Sequence, residues 1–323
     1  MIYAIFLLAA AVVVIAAIKL NTFGDIISRK SVLSGAAVGT FLIAGATSLP
    51  ELTTSLTAVY IDNPDIAVGN MIGSNVFNLL ILAVVDIIYR RRKLFQRVDY
   101  REHMPAVVSG LVFMFIVIAA LIIPGSIEWF GIGIEMFLMA GLYIFMTKSL
   151  SNNTAENEAA VDIEGPAESY SLRQSVVRFF LLAVVVFVAG SILSISGDQL
   201  AQVSGMDSSF VGSFLIAAST SLPELVTVLA AFKASNYGMA IGAILGSNVF
   251  NMQLLVVTDI LYREGAILKA AGISHVFMAL LVVFMTLMVI YLLRRPAISN
   301  SMRYAAPSLV ISVVYLIASY IMF

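Results

Sequence analysis

The chain has 323 residues, of which 61% are hydrophobic and only 11% charged, with mean hydropathy +1.02. A water-soluble domain carries about 25% charged residues, so this composition excludes one and points to an integral membrane protein. A formal net charge of −1 gives no ground for nucleic-acid binding, and the absence of cysteine excludes disulfides and thiolate metal sites.

Ten apolar stretches are long enough to span a bilayer, each requiring about 20 residues: 1–20, 36–60, 65–88, 104–123, 127–147, 173–196, 208–232, 237–261, 270–293 and 304–323. The first lacks a basic start and a small-residue cleavage site, so it reads as a retained helix rather than a signal peptide. The second holds GTFLIAGATSLPE, Gly39 to Glu51. Pro50 lacks an amide hydrogen and clashes with the preceding turn, which breaks a helix interior. The third holds GSNVFN, Gly73 to Asn78, and ends at Asp86-Ile-Ile-Tyr-Arg90. Ser74 and Asn78 share a helical face, and Gly69 and Gly73 have the spacing that permits close helix approach. His103 is expected in the loop before the fourth span.

Residues 148–172 are polar and rich in acids (Glu156, Glu158, Asp162, Glu164, Glu168). They lack EF-hand spacing and read as a linker between residues 1–147 and 173–323. Beyond it the second and third spans recur, 173 residues on. Residues 212–224 read GSFLIAASTSLPE, residues 246–251 read GSNVFN, and Asp259-Ile-Leu-Tyr-Arg263 closes the copy. Glu51 therefore matches Glu224, Ser74 matches Ser247 and Asn78 matches Asn251. Asn70 faces Ala243 and is left out of any shared site. Asp86 with Arg90, and Asp259 with Arg263, are spaced for ion pairs along one helix. His275, near a helix start, is expected at the membrane interface.

The cluster Arg90, Arg91, Arg92, Lys93, Arg97 and Arg101 belongs in the cytoplasm by positive-inside bias. Ten helices then place sixteen of the eighteen basic residues on that side, with Arg263 and Lys269 excepted and both termini extracellular. Five helices per copy is an odd number, so the second copy enters the membrane upside down. The expected fold is all-α, ten transmembrane helices in two inverted five-helix repeats, helices 2 and 7 broken near the bilayer centre. Inverted repeats place an ion site at mid-membrane.

Ionisable groups inside a membrane are costly and mark function. The two broken segments offer only oxygen: Glu51, Glu224, Thr47, Thr220, Ser48, Ser221, the carbonyls freed near Ala44 and Ala217, and from the partner helices Ser74, Ser247, Asn78 and Asn251. Such a set suits a hard cation, and Ca²⁺ takes 6–8 oxygen ligands. No imidazole or thiolate is at hand for softer metals. No nucleophile–base pair or His-rich motif supports an intramembrane enzyme, and no cofactor is expected.

On the doubled Thr-Ser-Leu-Pro-Glu and Gly-Ser-Asn motifs, the chain resembles the Ca²⁺/cation antiporter superfamily, in its prokaryotic sodium/calcium exchanger branch. The resemblance implies that Glu51 and Glu224 bind Ca²⁺ with the carbonyls of Thr47 and Thr220. It implies that Na⁺ is held by the same acids with Ser48, Ser74, Ser221 and Ser247 and the carbonyls of Ala44 and Ala217, and that Asn78 sits centrally. One departure stands out: Asn251 occupies a position where such exchangers commonly carry Asp. The expectation is a monomeric cell-membrane antiporter exchanging Ca²⁺ for Na⁺ by alternating access. Helices 1 and 6, poor in charge, would slide as the gate. H⁺/Ca²⁺ exchange, another divalent cargo and a cation channel are the alternatives.

Overall fold

The computed structural model describes residues 1–30, 45–123, 125, 127–154 and 170–323. Its elements are α1 (Ile2–Lys30), α2 (Leu49–Tyr60), α3 (Pro64–Ile88), α4 (Tyr100–Ile122), a two-stranded hairpin β1 (Glu128–Trp129) and β2 (Ile132–Gly133), and α5 (Ile134–Thr154). Then follow α6 (Leu172–Ser204), α7 (Ser208–Thr220), α8 (Leu222–Lys233), α9 (Tyr237–Leu261), a short α10 (Ile267–Ala270), α11 (Ser274–Arg294) and α12 (Ser301–Met322). Among the described residues, seven helices are long and apolar enough to cross a membrane: α1, α3, α4, α6, α9, α11 and α12. The pair α7–α8, bent by 41° at its break, makes an eighth when counted as one span.

Helix starts follow local chemistry. Asn63 and Asn236 accept from the backbone N–H of Ile66 and Met239 and so begin α3 and α9. Ser171 and Gln174 form a reciprocal capping box at the start of α6, and Gly205, at φ +75°, ends it. The fully buried side chains Met71, Ile72, Leu79 and Leu82 place α3 in the core. Around it lie α9, α11 and the broken helices, while α1, α4, α6 and α12 present much of their apolar surface outward. The two longest helices, α1 and α6, pack lengthwise against each other.

Several expectations are corrected here. The span predicted at 127–147 begins only at Ile134, because Phe130 and Gly131 take left-handed conformations (φ +55° and +73°) and turn 128–133 into the hairpin. The first helix runs to Lys30, beyond the expected limit at 20, since nothing in 21–30 breaks it. The sixth runs to Ser204, where Gly205 stops it. The fifth extends to Thr154, into the predicted linker, whose residues 155–169 lie outside the described part.

His103 and two helix-end acids also differ from expectation. His103 is a buried residue of α4, because Asp99 caps the helix four residues earlier. His275, the second residue of α11, is fully buried, its Nε2 lying 3.0 Å from Asp65 Oδ1 in the first turn of α3. Asp86 does not pair along its helix with Arg90: its two oxygens accept from the hydroxyls of Tyr304 (2.5 Å) and Ser308 (2.6 Å) on α12. Asp259 accepts from the backbone N–H groups of Ile267 (2.6 Å) and Gly133 (3.1 Å) rather than pairing with Arg263. In both cases a buried carboxylate is better satisfied by aligned donors from a neighbouring segment than by a solvated arginine.

Candidate cation site

Two helix breaks with nearly the same geometry form the site. Residues 45–47 are helical, Ser48 leaves the helix at φ −95° and ψ 9°, and Pro50 lies in the first turn of α2. Ser221 does the same at φ −89° and ψ 2°, ahead of Pro223 in α8. Each break leaves the first N–H groups of the following helix without helical partners. Glu51 and Glu224 each stand in that first turn, where the helix dipole favours negative charge. Both are buried, at 1% and 3% exposure.

The breaks meet each other. Ser221 donates to Glu51 Oε1 at 3.3 Å. Thr220 Oγ1 lies 3.5 Å from Ser74 Oγ and donates to Asn70 Oδ1 at 3.2 Å. Ser221 stands three residues before Glu224, so its bond to Glu51 brings the second break against the carboxyl group of the first. Thr47 and Ser48 just ahead of α2, Ser74 and Asn78 on α3, Ala217 on α7 and Asn251 on α9 are buried as well. The Ala217 carbonyl is partly used already, accepting from Ser221 N–H at 3.0 Å and standing 3.2 Å from Thr220 Oγ1 as the alternative acceptor for that hydroxyl's one hydrogen. Ser247 is only half-buried, and among the described residues no hydrogen bond joins it to the others. Ala44 lies outside the described residues.

Three participants escaped the sequence reading. Asn70 Nδ2 shares its two hydrogens among the Glu51 carbonyl (3.1 Å), Thr54 Oγ1 (2.7 Å) and Ser55 Oγ (2.9 Å), so it ties α3 to α2 beside the glutamate. No signal by repetition marks it. Asn75 and Asn248 cross-link α3 and α9, and their recurrence in the two Gly-Ser-Asn segments was the available signal.

Five buried oxygens here have no hydrogen-bond partner: Ser48 Oγ, Glu51 Oε2, Asn78 Oδ1, Glu224 Oε2 and Asn251 Oδ1. Leaving a buried polar atom unsatisfied costs about 1–3 kcal/mol. All five coordinate through oxygen, the ligand chemistry that a hard cation takes. Among the described residues no three acids, imidazoles or thiols converge to hold a metal, so the charge of this site is that of two carboxylates.

Gly69 and Gly73 let α3 approach α7 closely. A Cβ at Gly73 would stand 2.1 Å from the Ser213 carbonyl oxygen, and one at Gly69 3.1 Å from Ser213 N. The α7 residues in this contact belong to a π-helical stretch, Val211–Ile216, a wider winding often found at functional sites.

The model of the sodium/calcium exchanger protein family matches residues 1–148 and 174–323. The chain belongs to that family. It is a multi-pass membrane protein, and its family is one of exchangers rather than enzymes. This exchanger-family chain is 30% identical over 229 residues to an uncharacterized membrane protein of Methanocaldococcus jannaschii, covering 69% of each chain. It is 27% identical to the putative antiporter CaxA of Alkalimonas amylolytica, over 78% of this chain and 79% of the relative. Among solved structures, the H⁺/Ca²⁺ exchanger CAX superposes with TM-score 0.67 at 16% identity, over 99% of this chain and 89% of that one. The sodium-calcium exchanger NCX_Mj soaked with Na⁺ and Sr²⁺ gives 0.57 at 23% identity, over 98% and 97%. At these identities the structural likeness is one of fold.

Proposed function

We propose that the chain is an antiporter that exchanges Ca²⁺ for Na⁺ at the paired helix breaks, by alternating access. The observation that carries this reading is the pair of buried carboxyl groups, each with one unpartnered oxygen, together with three further unpartnered buried oxygens on Ser48, Asn78 and Asn251. Glu51 and Glu224 supply the charge. Neutral ligands come from Ser48, Ser74, Ser221, Asn78, Asn251 and the carbonyls of Thr47, Thr220 and Ala217, with Ser247 and Ala44 completing the set.

Two carboxylates neutralise one Ca²⁺ or two monovalent ions. Binding Ca²⁺ together with Na⁺ would leave excess positive charge in a low-dielectric interior, so the two compete and the site carries one load at a time. Two inverted five-helix repeats, 1–147 and 173–323 around a cytoplasmic linker at 148–172, with both termini outside the cell membrane, would give each half-site a mirror-related path. The recurrence of break, proline and glutamate on α2 and α8 supports that arrangement. The lengthwise pairing of α1 and α6 on the outside of the core supports their role as a sliding gate.

Two protons neutralise the same two carboxylates as two Na⁺ do, which keeps H⁺ as the second reading. Uptake of ⁴⁵Ca²⁺ into proteoliposomes under separately imposed Na⁺ and pH gradients distinguishes them. Uptake driven by outward Na⁺ at symmetric pH is expected; uptake driven by pH alone would replace Na⁺ with H⁺. Glu51→Gln and Glu224→Gln each remove half the charge and are expected to abolish exchange, and normal flux in either variant would refute the site.

A further inference from the structure

Where α3 crosses α9, Asn75 and Asn248 form a closed hydrogen-bond ring, to which Asn78 and Asn251 are attached. Asn75 Nδ2 donates to the backbone carbonyl of Asn248 and Asn248 Nδ2 to that of Asn75, both at 3.2 Å. Asn78 Nδ2 donates to Asn248 Oδ1, and Asn251 Nδ2 to Asn75 Oδ1, both at 3.0 Å. All four side chains are buried. Behind the ring is a cavity of only about 10 Å³, with Ala106, Val107, Leu245 and Val282 in its wall, room for at most about one water.

The ring has a direction that starts from the backbone. A carbonyl oxygen only accepts, so Asn75 and Asn248 must turn their NH₂ ends toward it. Their Oδ1 atoms then accept, which forces Asn78 and Asn251 to present NH₂ to the ring. A carboxamide is planar with its two ends opposed, so fixing the nitrogen fixes the oxygen. Asn78 Oδ1 and Asn251 Oδ1 are thereby turned away from the ring, and both are among the unpartnered buried oxygens.

We infer that Asn75 and Asn248 are positioning residues that set the amide orientation of Asn251 and Asn78, so that a cation meets an oxygen and never an NH₂ group. The inference rests on the reading of the helix breaks as a cation site and deepens it. Asn75 and Asn248 touch no ion themselves, since every polar atom of their side chains is used in the ring and its attachments. Without them each neutral amide is free to rotate by half a turn and present its donor end, which repels cations.

A double-substitution test separates orientation from packing. Leucine keeps the shape of asparagine but makes no hydrogen bond. Asn75→Leu is expected to raise the KM for Ca²⁺ in proteoliposome uptake by about 10–100-fold, the usual effect of losing a residue that orients a ligand. Asn251→Asp replaces the directional amide with a carboxylate that accepts at both ends. In that background Asn75→Leu is expected to leave KM unchanged or lower it, because Asn75 Oδ1 would otherwise face a carboxylate oxygen. An equal rise in both backgrounds, or none in the native one, overturns the inference while Ca²⁺ uptake by the unaltered protein still supports the exchange reading. Absence of Ca²⁺ uptake by the unaltered protein overturns both. Asn248→Leu with Asn78→Asp repeats the test on the other helix if a variant fails to fold.

Discussion

Asn70 illustrates how much one side chain carries when it is buried among hydroxyls. It shares two hydrogens among three acceptors on α2 and accepts from Thr220 on α7. Asn70→Ala strands several of these groups, and a loss of about 1–3 kcal/mol is expected, read as a lowered thermal midpoint in detergent. Alanine already stands at the matching position 243, so the helix itself tolerates it. Asp86 is similar: Tyr304→Phe removes one of its two hydroxyl donors and should cost about 1.5–3 kcal/mol, the worth of a hydrogen bond to a charged group. Glu51 and Glu224 were legible in the sequence because their cost in hydrocarbon and their repetition single them out. Asn70 was not, since its importance comes from partners up to 150 residues away. Asp86 and Asp259 were misread for the same reason. Spacing shows only neighbours along one helix, and their true partners come from α12, the hairpin and α10.

At the scale of elements, the contact of α3 with α7 is the tightest near the site. Gly73→Ala would place a methyl group on the Ser213 backbone, with no flexible side chain to yield. Overpacking of this kind costs about 1–3 kcal/mol. Separation of α3 from α7 would carry Ser74 away from Thr220, so exchange is expected to fall more steeply than stability when uptake and thermal midpoint are measured on the same preparation. The break between α7 and α8 was readable from Pro223, whose missing N–H and ring dictate it. The π-helical winding of Val211–Ile216 was not, because nothing in a run of small and apolar residues distinguishes five-residue from four-residue hydrogen bonding. The hairpin at 128–133 was hidden likewise: Phe130 and Gly131 turn within a stretch whose hydropathy alone reads as helix.

For the whole molecule, the count of charges at the site makes a prediction about membrane voltage. With two carboxylates and amides at both 78 and 251, the proposed exchange of one Ca²⁺ for two monovalent ions moves no net charge. Initial Ca²⁺ uptake is then expected to be insensitive to a K⁺-diffusion potential imposed with valinomycin, whereas a third coupling ion would make uptake accelerate with the sign of the potential. The length of α6 bears on the lipid as well. Its 33 residues extend about 50 Å at 1.5 Å each, against a hydrocarbon layer of about 30 Å. Even the steepest usual tilt leaves its ends among the headgroups. If α1 and α6 slide together during transport, acyl-chain length becomes a control on the carrier: thin and thick membranes would favour opposite orientations, and turnover would peak at one intermediate chain length.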